Sequence, residues 1–115
     1  MPEISKKRIA IATRLVTARK QAGLSQTQVA KMLGLHRPSV SELEAGRRAV
    51  TAEELTKLAK IYGTNVSWLA CTDTDSPDPA KDRLELAARQ LTKLKKADFD
   101  RVLELLAAVG NAKGK

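Results

Sequence analysis

Residues 23–48 read GLSQTQVAKMLGLHRPSVSELEAGRR, and this segment has the pattern of two short helices joined by a tight turn. Ser25 is a good N-cap for the first helix, with Gln28 three residues later as its capping-box partner. Gly34 ends that helix, and Pro38 suits the first turn of the next, where its missing N–H is not needed. The segment therefore predicts a helix-turn-helix arrangement.

The helical pattern continues on both sides of this segment. A first helix is predicted over residues 6–22, a fourth begins at the capping box of Thr51 and Glu54, and a short last helix follows Asn65. These helices predict a five-helix unit that ends near Ala70. The side chains expected to face its interior are Ile11, Leu15, Ala18, Ala22, Val29, Ala30, Leu33, Val40, Leu43, Leu55, Leu58, Ala59, Tyr62, Trp68 and Leu69.

A linker and a second helical segment follow the five-helix unit. The composition of residues 72–79, TDTDSPDP, is that of a linker. We therefore divide the chain into residues 1–70, a linker over 71–80 and an amphipathic helical segment over 81–115. This last segment forms either two helices with a break near residues 95–97 or one continuous helix.

The helical segment after the linker carries apolar side chains that must be buried somewhere. They form either a homodimer interface, which we favour, or a surface that packs back on the same chain. The predicted dimer-interface residues are Leu84, Leu91, Leu94, Phe99, Val102, Leu106 and Val109.

The chain is strongly basic, with 21 Lys and Arg against 13 Asp and Glu and a net charge of +8. Residues 1–70 hold 12 basic and 5 acidic side chains, so most of the excess lies in the predicted five-helix unit. A positive charge of this size on a small chain favours a polyanion as partner, although solubility alone is an alternative explanation. Only three aromatic residues are present, which argues against a base-stacking platform for single-stranded nucleic acid.

Several other classes of protein and site are disfavoured. Cys71 is the only cysteine and His36 the only histidine, so neither an intramolecular disulfide nor a metal site is expected. No catalytic constellation or cofactor motif is present, and neither a membrane span nor a secretory signal is found, so a cytoplasmic non-enzyme is expected. Asp73, Asp75 and Asp78 lack the glycine and terminal glutamate of a calcium loop and predict a flexible acidic linker.

The spacing of small, apolar and polar residues in the segment is distinctive. It runs Gln26, Ala30, Gly34, Val40, Leu43, Glu44 and Gly46, followed by Arg47 and Arg48. With this spacing, about residues 6–70 resemble the DNA-binding domain of the Cro/C1 repressor family, also called the XRE family of bacterial and phage regulators. The resemblance implies an all-α, five-helix lambda-repressor-like fold, here with a C-terminal amphipathic helical extension.

The resemblance also implies which residues face double-stranded DNA, because the third helix of such domains lies in the major groove. The predicted base contacts are His36, Arg37, Pro38, Ser41 and Glu42. The predicted phosphate contacts are Ser25, Gln26, Thr27, Ser39, Arg47 and Arg48. Arg37 could donate two hydrogen bonds to a guanine or contact a phosphate instead, and the two later arginines could also be solvated surface charges.

Arg19 and Glu44 occupy positions that pair in the resembled family. An arginine late in the first helix meets a glutamate at the end of the third, so we interpret them as a structural ion pair and not as a site.

Three functions remain open at this point. The favoured hypothesis is a dimeric repressor that binds a palindromic operator and competes with polymerase for promoter DNA. The second is an antitoxin-like or peptidase-controlled regulator whose C-terminal helices bind a protein partner, such as a toxin, a peptidase or an antirepressor. The third is a non-specific nucleic-acid binder that uses charge alone.

Overall fold

The computed structural model describes residues 5–113, with side chains to residue 111, and every regular element in this range is a helix. The helices are α1 (Lys6–Gln21), α2 (Gln26–Leu33), α3 (Arg37–Glu44), α4 (Ala52–Tyr62), α5 (Val66–Leu69), α6 (Pro79–Leu91) and α7 (Lys96–Lys113). This confirms the all-α fold class and the five helices predicted before the linker. Within the same range, no helix combines the length and the apolar character that crossing a membrane requires.

Both predicted capping boxes form. The Ser25 hydroxyl accepts the Gln28 N–H at 3.1 Å, and the Gln28 side chain accepts the Ser25 N–H at 2.8 Å. Thr51 and Glu54 make the same reciprocal pair at 3.1 and 2.9 Å. Gly34 ends α2 in the left-handed conformation, with a φ of 70° that favours glycine over any residue with a Cβ. These local signals therefore fix where α2 and α4 begin and where α3 can follow.

The core lies where the sequence placed it, with small departures in α1. All the predicted inward-facing residues from Leu15 to Leu69 are buried except Ala22, which is exposed because it caps the C-terminal end of α1. Ile11 is partly buried against the cluster. Leu86, in α6, also belongs to this core and is only 3% exposed. The C-terminal segment is thus partly integrated into the five-helix unit.

The C-terminal segment forms two helices, which settles the alternative left open by the sequence. Residues 92–95 separate α6 from α7, slightly earlier than the predicted break. Helix α6 begins before the predicted residue 81, because the Asp78 carboxylate accepts the Ala80 N–H at 3.0 Å and Pro79 occupies the first turn.

The buried face of α6 differs from the predicted apolar stripe. Leu84 was placed on the apolar face, but its side chain is 71% exposed. Asp82 and Leu86, one helical turn apart, face α1 and the core instead, because a buried ion pair of Asp82 orients the helix. Packing back on the same chain is therefore found for α6, through residues that the stripe did not include.

The acidic segment before α6 is attached to α1 and does not behave as the predicted flexible linker. Lys7 pairs with Asp75 at 2.6 Å, and Arg14 pairs with Asp73 at 2.7 Å. Lys7 also donates to the carbonyl of Cys71, the only non-glycine residue with a positive φ among those described. Asp73 and Asp75 are thus counterions of α1.

Candidate nucleic-acid interface

The crossing of α2 and α3 is built from small and apolar side chains. Ala30 in α2 is 3% exposed, and Val40 in α3 is 2% exposed, so the two helices approach closely where these side chains lie. Leu43 is also buried and anchors the C-terminal end of α3. With its inner side fixed in this way, α3 presents its remaining side chains outward.

The N-terminal end of α3 is open to solvent. His36, Arg37 and Pro38 are all exposed, and His36 precedes the helix without making a capping hydrogen bond. Ser41 and Glu42, the other two predicted base contacts, are half-buried on the next turn. The structure therefore brings the five predicted base-contact residues onto the first two turns of one short helix.

Glu42 and Arg47 form an ion pair that the sequence analysis missed. The Arg47 Nε donates to a Glu42 carboxylate oxygen at 2.6 Å, and both side chains remain largely exposed. This hydrogen bond raises the pKa of Arg47 above its ordinary value. A predicted base contact and a predicted phosphate contact thus neutralise each other in the structure without DNA.

Arg48 is held by the capping box of α4. Its guanidinium donates to both Glu54 carboxylate oxygens, at 3.2 and 2.8 Å. Burial opposes the charged form of Glu54, but the hydrogen bonds from Arg48 and Thr51 and the charge of Arg48 together outweigh it, and the pKa of Glu54 is lowered. Arg48 therefore ties the end of the helix-turn-helix segment to α4, in addition to any role as a phosphate contact.

Arg19, Glu44 and Gln26 connect α1, α3 and α2. Arg19 donates to the two carboxylate oxygens of Glu44 at 2.7 and 3.0 Å and to the Leu24 carbonyl at 2.9 Å. The hydrogen bonds that Arg19 donates to Glu44 raise the pKa of Arg19. The Gln26 amide also donates to Glu44, at 3.0 Å, which the sequence analysis did not foresee. Gln26 is thus oriented at the first residue of α2.

The other predicted phosphate contacts surround the start of α2 and the first turn of α3. Ser25 and Thr27 are exposed beside Gln26, although the Ser25 hydroxyl is already engaged as the N-cap of α2. Ser39 is half-buried in α3. Free N–H groups at the start of α2 add a partial positive charge to this edge of the surface.

The predicted dimer-interface residues remain largely open to solvent in the single chain. Leu84, Leu94, Leu106 and Val109 are 71, 40, 59 and 56% exposed. The other three, Leu91, Phe99 and Val102, are half-buried. Leu103 and Leu105 of α7 are exposed as well, at 46 and 62%. The apolar face of α7 is therefore available to a second molecule.

The most extensive polar cluster was not predicted at all. Arg14 is 2% exposed and donates to Asp82 at 3.0 Å, to Asp73 at 2.7 and 2.9 Å, and to the Trp68 carbonyl at 2.7 Å. Its guanidinium carbon also lies 4.4 Å from the centre of the Trp68 ring. Hydrogen bonding from Arg14 lowers the pKa of Asp73 to about 2.

The sequence contains one indication of this cluster, the position of Arg14 on α1. Arg14 lies four residues from both Ala10 and Ala18, so it occupies the buried stripe of α1. Its partners are too distant in sequence to be identified by spacing.

The other chemically reactive candidates do not form a site among the described residues. Cys71 is buried and reduced, and burial raises the pKa of its thiol, which disfavours a reactive thiolate. Within residues 5–113, no three His, Cys, Asp or Glu side chains come together as metal ligands would.

Comparisons with known proteins agree with this geometry. The model of the helix-turn-helix family matches residues 15–69. An uncharacterized HTH-type transcriptional regulator of Haemophilus influenzae is 33% identical over 60 residues, which make up 52% of this chain and 61% of that protein. No solved structure matches the chain significantly. The match confirms the predicted resemblance to the Cro/C1-type helix-turn-helix family for residues 15–69.

Proposed function

We propose that the chain is a sequence-specific DNA-binding transcriptional regulator that acts as a dimeric repressor on a palindromic operator. The observation that carries the proposal is the exposed N-terminal end of α3, with His36, Arg37 and Pro38 outward and Val40 and Leu43 buried beneath. A short helix presented in this way fits the major groove. The name of the related H. influenzae protein supports the same class of function.

Base recognition would depend mainly on Arg37 and Glu42. The exposed Arg37 guanidinium can donate two hydrogen bonds to the N7 and O6 atoms of a guanine. Glu42 can accept a hydrogen bond from a cytosine amine, provided that it exchanges its partner Arg47 for the base. Arg47, once released, is positioned to bind a phosphate beside the groove.

Phosphate binding would fix the position of α3 on the duplex. Gln26 uses one amide hydrogen for Glu44, and its second hydrogen is available for a phosphate oxygen. The free N–H groups at the start of α2, where Gln26 is the first residue, favour an anion there. The ion pair of Glu44 with Arg19 would keep this donor in place.

A homodimer would place two α3 helices on the two halves of a palindrome. The exposed apolar face of α7, with Leu103, Leu106 and Val109, is the surface we assign to this contact. Joining two weak half-site contacts raises the overall affinity by about 10²–10⁴ through effective concentration. Repression follows when the bound dimer excludes polymerase from the promoter.

The proposal is tested by selecting bound sequences from a random DNA pool at near-physiological salt. We expect a two-fold symmetric consensus, and Arg37→Ala should weaken binding to it by about tenfold to a hundredfold. Arg101→Ala, the same change on the exposed surface of α7, is the matched control and should leave the consensus unchanged. Salt-sensitive binding without enrichment of any sequence would refute specific recognition.

The exposed face of α7 also fits a second candidate, a regulator that binds a protein partner through its C-terminal helices. Light scattering of the full-length chain separates the two. A dimer that becomes monomeric in Leu106→Glu supports the repressor, whereas a monomeric wild-type chain directs the search to a toxin, peptidase or antirepressor.

A further inference from the structure

Arg14 joins the helix-turn-helix unit to the C-terminal segment inside the protein. It lies on α1, and its Nε atom and one terminal nitrogen donate to the two carboxylate oxygens of Asp82 on α6 at 3.0 and 3.3 Å. Asp82 is only 1% exposed. Asp82 depends on this pairing, because without Arg14 its carboxylate would be a stranded buried charge, whereas Arg14 also has Asp73 as a partner.

Two further contacts attach α6 along its length. Glu85 accepts the Trp68 indole N–H at 2.9 Å, and the neighbouring Leu86 is buried in the core. One turn later along α6, the Gln90 side chain lies against Gly63. A Cβ built on this glycine would be 2.9 Å from the Gln90 amide nitrogen. The whole of α6 therefore rests on the five-helix unit, with Asp82 as its most buried charged contact.

The same helix α1 also holds α3. Arg19, five positions after Arg14, pairs with Glu44 at the end of α3. One straight helix thus carries both attachments: Arg14 fixes the segment that leads to the dimer face, and Arg19 fixes the helix proposed to read DNA. The position of α6 relative to α3 is therefore set by α1, and α7 follows α6 after residues 92–95.

We propose that Arg14 is a specificity-determining residue that sets the half-site spacing read by the dimer. The inference rests on the proposed function, since it requires a homodimer formed through α7. Two recognition helices bind half-sites about 34–36 Å apart only if each is held at a fixed distance and angle from the dimer face. A loosely attached α6 would allow many spacings with similar affinity.

The main test variant is Asp82→Arg, because it acts from the α6 side and changes no residue of the helix-turn-helix segment. An arginine facing Arg14 cannot remain buried, so α6 should leave α1, while Arg14 keeps its partner Asp73. Asp75→Arg is the matched control, since it makes the same change of charge on an exposed aspartate of the acidic segment just before α6.

The measurement uses the full-length chain and the palindrome selected by the wild type, with base pairs inserted between its half-sites. We expect wild type and Asp75→Arg to prefer the selected spacing by about tenfold over one lengthened by about two base pairs. Asp82→Arg should remain dimeric, bind an isolated half-site within about twofold of the control, and accept all these spacings within about twofold.

A double variant distinguishes the release of α6 from a general loss of folding. Replacing the pair by Arg14→Met with Asp82→Leu removes both charges and allows α6 to dock through apolar contact, so the spacing preference should return. Retention of the wild-type preference in Asp82→Arg, or failure of the folded double variant to restore it, would overturn the inference. A monomeric wild-type chain would instead refute the proposed dimer before any variant is compared.

Discussion

Replacing Glu44 by alanine would remove the acceptor shared by Arg19 and Gln26. Arg19 is 13% exposed and Glu44 is 6% exposed at the side chain, so the pair is almost withdrawn from water. Without Glu44, the Arg19 guanidinium keeps only the Leu24 carbonyl as an acceptor. The charge would then be held in a poorly solvated position with most of its hydrogen bonds lost.

The size of the effect follows from the burial of the pair. Removing one partner of a fully buried ion pair costs about 3–5 kcal/mol in free energy of unfolding. Because Arg19 retains some contact with water and one acceptor, we expect about 2–3 kcal/mol for Glu44→Ala. At about 4 °C per kcal/mol for a chain of this size, Tm should fall by about 8–12 °C.

The assay is a thermal melt followed by circular dichroism, with Glu42→Ala as the matched control on the same helix. Glu42 pairs with Arg47 at 2.6 Å, but these side chains are 44 and 59% exposed, so its loss should lower Tm by less than about 4 °C. A Glu44→Ala variant that melts like Glu42→Ala would refute the structural role. If that variant also lost DNA affinity, Glu44 would be a contact residue.

Two further predictions concern the contacts of α6 and the segment before it. Arg14 lowers the pKa of Asp73 to about 2 from an ordinary value of 3.8, so the stability from this pair should be present above about pH 4 and lost as the pH falls towards 2. Acid titration of Asp73→Asn should therefore show a smaller loss of stability in that window, and an unchanged acid profile would contradict this. Gly63→Ala should destabilise the protein by about 1–2 kcal/mol, because φ is +69° and a residue with a Cβ is strained in that conformation. The control Gly110→Ala, in open space on α7, should be neutral or stabilising in the same urea titration, and equal effects at the two glycines would exclude this explanation.

Local chemistry explains why much of the fold was predictable. The capping boxes at Ser25 and Thr51 and the left-handed turn at Gly34 each depend on residues within a few positions, so the sequence shows them directly. The core of the five-helix unit was equally readable from its apolar spacing. The exposed face of α3 was predictable from the positions of Val40 and Leu43, because their burial leaves the opposite side of the helix exposed.

Long-range electrostatics explains what was missed. Arg14 and Asp82 are 68 positions apart, and a charged residue on an amphipathic helix ordinarily indicates the solvent side. The apolar stripe of α6 therefore pointed to Leu84, whereas the buried aspartate turned Leu86 inward. The pair of Glu42 and Arg47 was missed for another reason, since each residue had been assigned separately to DNA.

The surroundings of Trp68 allow the contact between α1 and α6 to be followed by fluorescence. Trp68 is the only tryptophan in the chain, its ring lies under the Arg14 guanidinium, and its indole N–H is bound by Glu85. A cation over the ring and a carboxylate on the nitrogen both change the environment that sets indole emission. Tryptophan fluorescence, excited selectively over the single tyrosine, therefore reports without any added label whether α6 rests on α1, in solution and while DNA is being bound.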